Sequence, residues 1–385
     1  MDFDFQWLLL GLPIVFGLGW VASRFDLRQW RKEQRDSPKA YFKGLNFLLN
    51  EQHDKAIDAF IEAVQHDPET TDLHFALGNL FRRRGEYERA VRVHQHLLNR
   101  ADLSQAERER AQHALAQDFL TAGLFDRAEQ AWHALEGTAY DTEARLALLT
   151  LQERSRDWQA AVDTAQVLER SGIGSYAARI AHYWCELAHL AEVQQEGAKA
   201  DEAITRAREA SPLAARPLVL AGHRAKALGA HRQAMQLWAQ LSVVQPASFN
   251  LVARVYAETA VASQQQGIAL EHLETQYARA PSIDLLDAMA LVHPVGQTER
   301  LIEHLKQRHS LSAARALLAL TPASAAPPPL DASTLALLQS AVGEAAKPLQ
   351  RYRCAACGFE AQHYFWQCPG CLSWDSFPPV RVEEL

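Results

Sequence analysis

Four of the five cysteines in this 385-residue chain fall within one stretch, RCAACGFEAQHYFWQCPGC, as Cys354-x-x-Cys357 and Cys368-x-x-Cys371 with ten residues between them. Two such knuckles supply four thiolates at tetrahedral spacing, the donor set for zinc or iron, with zinc–sulfur distances of about 2.3 Å. Cys354, Cys357, Cys368 and Cys371 are therefore the expected metal ligands. A thioredoxin-like site needs a βαβ setting, which is absent, and two pairs favour a closed metal site. A disulfide framework spreads its cysteines through a small secreted domain, so the clustering here fits a reducing compartment with a metal. Gly358 and Gly370 allow a tight backbone that turns amide N–H groups toward the sulfurs, and Tyr352, Phe359, Trp366 and Trp374 are available to pack around the site. A bound metal would supply much of the folding energy for ~35 residues that cannot build a core unaided.

Nothing else in the sequence carries chemistry of comparable specificity. There is no Walker A loop, no H-E-x-x-H, no G-x-S-x-G, and no dinucleotide-binding loop after a strand. The histidine pairs His94/His96, His182/His189 and His304/His309 lie on expected helices without a metal-like partner set and read as surface or packing residues, and Cys185 reads as a small buried side chain. A net charge of −7 excludes a broad electrostatic footprint for nucleic acid. The expectation is a protein that is not an enzyme and does not bind nucleic acid.

The module over 350–385 resembles rubredoxin, whose two cysteine knuckles hold one metal. It departs from that pattern at Ala355-Ala356, where a proline is missing, at Leu372, which replaces a glycine, and in its short spacer. These departures make a single structural zinc a better fit than an electron-transfer iron. Ahead of the module stand a Pro/Ala linker over 323–332 and a short helix over 333–349, with Leu335, Leu337, Leu338, Ala341 and Val342 on one face.

Before the linker the chain repeats. Gly44 and Gly78, Phe47 and Phe81, and Ala56 and Ala90 are each 34 apart. With Pro68 closing the first unit, the period and residue types resemble the tetratricopeptide repeat, a helix-turn-helix unit with small residues where its helices touch. Later units carry Ala116, Phe119, Ala128 and Trp132, then Trp158, Ala161 and Leu168, then Ala203, Ala207 and Ala210. The markers sharpen again at Gly222, Gly229, Ala234, Trp238, Leu241 and Pro246, and fade over 249–320. The reading is eight to nine units over 37–322. Because each helix pair cannot bury its apolar face alone, the units stack into a superhelical solenoid with a groove that binds other proteins. Phe75, Asn79, Arg82 and Arg83 are expected at inward groove positions.

At the N-terminal side, FQWLLLGLPIVFGLGWVAS runs nineteen residues from Phe5 to Ser23 without a charge. That is about enough to cross a ~30 Å hydrocarbon core, and 1–23 reads as a transmembrane anchor. Asp2 and Asp4 precede it, whereas Arg24, Arg28, Arg31, Lys32 and Arg35 follow within a basic juxtamembrane segment over 24–36. That asymmetry places the bulk on the cytoplasmic side.

The fold class expected is all-α: a tetratricopeptide-repeat solenoid with an N-terminal transmembrane helix and a small C-terminal rubredoxin-like metal-binding module. Anchor, array and YRCAACGF…WQCPGC…W module, in that order, resemble the lipopolysaccharide assembly protein B family of the bacterial inner membrane. The resemblance implies a single-pass adaptor with its N-terminus in the periplasm. It would regulate lipopolysaccharide biosynthesis by promoting degradation of the deacetylase LpxC by the membrane AAA+ protease FtsH, with the module packed on the repeats and needed for activity. Other inner-membrane lipopolysaccharide-pathway proteins are further implied partners, and a homodimer stays open. The rival readings are a membrane-tethered rubredoxin-type electron carrier and a generic scaffold for another membrane complex.

Overall fold

A computed structural model describes residues 16–17, 20, 42–47, 49–50, 52–66, 70–308, 310–320 and 332–384. The expected anchor over 1–23 falls outside these residues except at 16, 17 and 20, and the juxtamembrane segment, His309 and most of the linker also lie outside them. Among the described residues no helix is long and apolar enough to cross a membrane.

The chain divides into two compact units, Met1–Ser155 and Arg156–Leu385. In the first, helical residues 42–47 precede α1 (His53–His66), α2 (Thr71–Arg83), α3 (Tyr87–Leu98), α4 (Gln105–Thr121), α5 (Phe125–His133) and α6 (Asp141–Ser155). Small residues sit where large rings arrive from the partner helix. A Cβ on Gly44 would approach the Phe60 ring to 3.0 Å, and one on Gly78 would collide with the His94 imidazole. Ala56, Phe60, Leu73, Phe81 and Ala90 close the apolar seam between these helices. Ser104 and Glu107 form a reciprocal capping box at the start of α4, satisfying N–H groups that the helix leaves without internal partners.

The inward groove positions are largely committed to this unit's own packing. Phe75 is buried with Leu97, Ala111 and Ala114. Arg82 donates to Asp118 at 2.8 Å, to the Ala114 carbonyl at 3.1 Å and to Asn79 Oδ1 at 2.7 Å. Asp118 also meets His94 Nδ1 at 2.5 Å, so a fully buried carboxylate is held between two donors. Of the four expected groove residues, Arg83 alone is exposed.

The second unit begins with α7 (Trp158–Arg170) and continues through α8 (Ala177–Val193), α9 (Gly197–Ala210), α10 (Ala215–Ala227) and α11 (His231–Val244). A 3-10 turn over Pro246–Leu251 leads to α12 (Ala253–Ala262), α13 (Gln266–Arg279), α14 (Ile283–Val292), α15 (Gln297–Gln307) and α16 (Leu311–Leu320). The stretch with faded sequence markers keeps the helix-pair arrangement, because Phe249, Tyr256, Leu273, Leu286, Met289 and Leu301 join Trp238 in one continuous apolar core. The expected short helix is present as α17 (Ala332–Ala346) and lies against α16, with Gln339 Nε2 donating to the Leu318 carbonyl at 2.7 Å. Two short antiparallel strands follow, β1 (Tyr352–Arg353) and β2 (Glu360–Ala361), in the register Tyr352↔Ala361 and Arg353↔Glu360. They hold the first knuckle.

Candidate metal centre

Each knuckle is built by the same backbone pattern. Gly358 N–H donates to the Cys354 carbonyl at 2.9 Å while Cys354 N–H donates to the Phe359 carbonyl at 2.9 Å. In the second knuckle Leu372 N–H donates to the Cys368 carbonyl at 2.8 Å and Cys368 N–H to the Ser373 carbonyl at 2.9 Å. The turn closes only if the fourth residue after the leading cysteine is left-handed, and Gly358 at φ +77° and Leu372 at φ +58° both are. Leu372 thus adopts the conformation that a glycine would take freely, so this departure from the rubredoxin pattern leaves the knuckle geometry intact. Gly370 plays no such part. It lies where the two knuckles approach, and a Cβ there would stand 3.6 Å from Cys357 Sγ, an ordinary contact.

The four Sγ atoms lie within 4.8 Å of one another. Cys354 and Cys371 are 3.8 Å apart across the knuckles, and Cys357 and Cys368 are 3.6 Å apart. A tetrahedron with metal–sulfur bonds of about 2.3 Å has edges of about 3.8 Å, so the set fits one tetrathiolate ion. Polar groups converge on the sulfurs as well. The N–H groups of Ala356 and Cys357 face Cys354, that of Phe359 faces Cys357, and that of Ser373 faces Cys371. Contact with the Ser376 hydroxyl draws the Cys354 thiol down to about 6, and the Ser373 hydroxyl likewise lowers Cys371, toward the thiolate that a metal takes. Cys354 and Cys368 are buried while Cys357 and Cys371 are exposed, so one face of the site meets solvent.

The aromatic residues divide differently from the sequence expectation. Tyr352 and Phe377 pack with Cys354 and Cys368, joined by Tyr364 and by Leu251 from the array. Phe359 is 41% exposed and does not wrap the site. Trp366 and Trp374 turn toward the helices instead. The Trp374 ring stacks on His182 of α8 at 4.6 Å and meets the edges of Tyr183 at 5.9 Å and Trp158 at 6.4 Å, while the Arg216 guanidinium lies 5.9 Å from the Trp366 ring.

Several docking residues carried no signal in the sequence. His182 Nε2 lies 2.8 Å from Asp375 Oδ2, and since a carboxylate only accepts, the proton of this pair is placed on Nε2. At the other end of the module, Glu384 Oε1 accepts from Ile283 N–H at 2.7 Å and Glu383 Oε2 from Ser312 N–H at 3.4 Å. Each carboxyl thereby caps a helix N-terminus, of α14 and α16 respectively, where exposed N–H groups and the helix dipole favour negative charge. Gln350 Nε2 adds a bond of 2.7 Å to Ser312 Oγ. His182 and Asp375 are 193 residues apart, and Ile283 and Glu384 are 101 apart, separations at which no local pattern links two residues.

The family model described as rubredoxin metal binding domain matches residues 352–379. Lipopolysaccharide assembly protein B of Escherichia coli K12 is 30% identical over 383 residues, covering 97% of this chain and 98% of the relative. The Haemophilus influenzae protein of the same name is 28% identical over 407 residues, covering 98% of each. Among solved structures, a tetratricopeptide repeat protein from Parabacteroides merdae matches with a TM-score of 0.34 and 13% identity, covering 67% of this chain and 99% of that one. Near-full-length likeness in sequence thus accompanies the helix-pair array and the cysteine module, and the chain belongs to the lipopolysaccharide assembly protein B family.

Proposed function

We propose that this protein is a non-catalytic adaptor of lipopolysaccharide assembly, anchored in the bacterial inner membrane by residues 1–23 with its bulk on the cytoplasmic side. The observation that carries this reading is the 30% identity to lipopolysaccharide assembly protein B over 98% of that protein's length. The family points to a scaffold or adaptor rather than an enzyme. In this reading the array presents the deacetylase LpxC to the membrane protease FtsH, and the anchor holds both beside the bilayer. The cysteine module serves as a cap whose four thiolates hold a structural zinc.

The module's grip on α7, α8, α10, α14 and α16 supports this division of labour, because a metal-stapled cap with side chains reaching several helices can stiffen the surface that partners meet. Deleting residues 1–23 is expected to leave a folded protein that no longer shortens the cellular lifetime of LpxC, measured by chase after translation is stopped. An unaltered LpxC lifetime would sink the proposal. Cys371→Ser is expected to lose the metal and, through the module's packing, to slow LpxC turnover; full metal content with normal turnover would argue against the cap.

Exposure of Cys357 and Cys371 is the one observation that favours an iron-bearing electron carrier. Visible absorption separates the two readings, since a ferric tetrathiolate is coloured and zinc is not. A colourless protein containing about one zinc per chain supports the cap.

A further inference from the structure

A hollow of about 390 Å³ opens where the module meets the array. Trp366, Tyr364 and Phe377 line it from the module, and Leu213, Ala215 and Ala247 from the array. Its volume and aromatic lining are those of a ligand site rather than of a packing fault, which in a well-packed interior stays smaller than a side chain.

Two features fix the chemistry of an occupant. The first is charge. The lining includes no lysine or arginine, and its one carboxylate, Asp375, is already paired with His182. A phosphate or carboxylate would enter without a counter-charge, and a cation would find the acid taken. The second is hydrogen bonding. His182 lines the hollow, is 2% exposed, and its Nδ1 has no partner among the described residues. With the proton placed on Nε2 by Asp375, Nδ1 presents a buried lone pair that needs a donor. Arg216, 5.9 Å from the Trp366 ring, lies outside the lining and is paired with Glu186 at 2.8 Å.

An uncharged peptide unit supplies the missing complement, an N–H for the imidazole, and a neighbouring apolar side chain supplies surface for the aromatic walls. An acyl chain lacks the donor, and a phosphorylated sugar brings charge that no lining residue neutralises. We propose that the hollow between the module and the array binds an uncharged, extended segment of a partner protein through one apolar side chain, with a backbone N–H donated to His182 Nδ1. The site depends neither on which metal the cysteines hold nor on the lipopolysaccharide reading, and LpxC turnover does not enter its test.

The probe is a capped tripeptide, acetyl-Ala-photoleucine-Ala-amide, irradiated with the full-length chain in nanodiscs and mapped by mass spectrometry. The expected result is saturable labelling of the hollow, at Leu213, Tyr364, Trp366 or Phe377. Acetyl-Ala-Leu-Ala-amide should compete at least about tenfold better than acetyl-Ala-Asp-Ala-amide, because burying a carboxylate without a partner costs more than the roughly 1.4 kcal/mol that a factor of ten represents. Ala247→Trp, at an exposed lining position, should fill the mouth and cut labelling about tenfold or more, the same factor of discrimination. Leu213→Glu, at a side chain 70% exposed, is the second variant should the first misfold, and should do the same. Labelling outside the hollow, labelling unchanged in the folded variants, or equal competition by the aspartate peptide would overturn the proposal. Equal competition by decanol would also overturn it and assign the hollow to acyl chains.

Discussion

Gly222 of α10 lies so close beneath the Trp238 indole of α11 that a Cβ on the glycine would fall inside the ring system, nearest Nε1. The indole is fully buried and donates from Nε1 to the Val219 carbonyl at 3.4 Å, so it has little room to retreat. Gly222→Ala is expected to destabilise the second unit by about 1–3 kcal/mol, as overpacking of a closed core does. Chemical denaturation followed by tryptophan fluorescence measures it. Adding Trp238→Phe to Gly222→Ala should recover part of the loss, since the smaller ring clears the new methyl group. A neutral Gly222→Ala would show that the helices can part without penalty.

The same sixteen-residue relationship recurs at Gly78 with His94 and at Gly44 with Phe60, which is why these units are legible in sequence: glycine is required by close approach. Other units lack the marker but keep the geometry. The turn between paired helices is left-handed at Gly85, Gly123 and Gly229, and the same turn is made by Gln195 at φ +60° and Gln264 at φ +56°. A polar residue tolerates this conformation at a cost of about 1 kcal/mol, so the turn persists after the glycine has gone and the repeat fades from the sequence. The four cysteines were readable because ligation fixes their spacing locally. The docking of the module was not, because Asp375, Glu383 and Glu384 find their partners only after the array has folded. Trp366 and Trp374 read equally well as wrappers of the site until the structure showed them turned toward α8 and α10.

Leu372 offers a direct test of strain at the second knuckle. It is 40% exposed and sits at φ +58°, where its counterpart in the first knuckle is Gly358. Leu372→Gly gives up modest apolar burial and removes a left-handed β-carbon, for an expected gain of about 1 kcal/mol in the stability of the metal-bound module. Competition against a chelator reads the gain as slower metal loss. Faster loss would mean that Leu372 contributes packing worth more than its strain.

Trp374 separates holding a metal from holding the array. Its ring stacks on His182 and contacts Trp158 and Tyr183, while the four cysteines are other residues entirely. Truncating a buried tryptophan costs about 3–5 kcal/mol, and this partly exposed one should fall toward the lower end. Trp374→Ala is therefore expected to keep about one metal per chain, the content a closed tetrathiolate site holds, yet to make the module the first segment cut in limited proteolysis. Loss of metal in this variant would show that the two tasks cannot be separated, and an unchanged cleavage order would show that the stack contributes little to docking.

Glu384 gives the docked module a dependence on pH whose sign can be worked out. Burial pushes its carboxyl up to about 7 from an ordinary 4.5, its Oε2 has no partner among the described residues, and Asp284, Glu383 and Arg308 surround it. Asp284 and Asp287 are raised in the same direction by burial. His304, whose Nδ1 lies 2.8 Å from the Tyr277 hydroxyl, is lowered from 6.5 by burial. A raised acid keeps its proton in the docked form after the undocked form has lost it, so its contribution is full below 4.5 and disappears as pH rises through about 7. The depressed imidazole works oppositely, weakening docking as pH falls below 6.5. The two oppose each other in mild acid, and above pH 6.5 the carboxyl dominates. Docking should therefore weaken between about pH 6.5 and pH 8 by somewhat less than about 1 kcal/mol, since only about half a unit of the carboxyl's shift lies above pH 6.5 at 1.36 kcal/mol per unit. Glu384→Gln keeps an amide oxygen for the Ile283 N–H and cannot ionise. The melting temperature of the module should fall across this window in the parent chain and stay nearly level in the variant, and parallel curves would remove Glu384 as the cause.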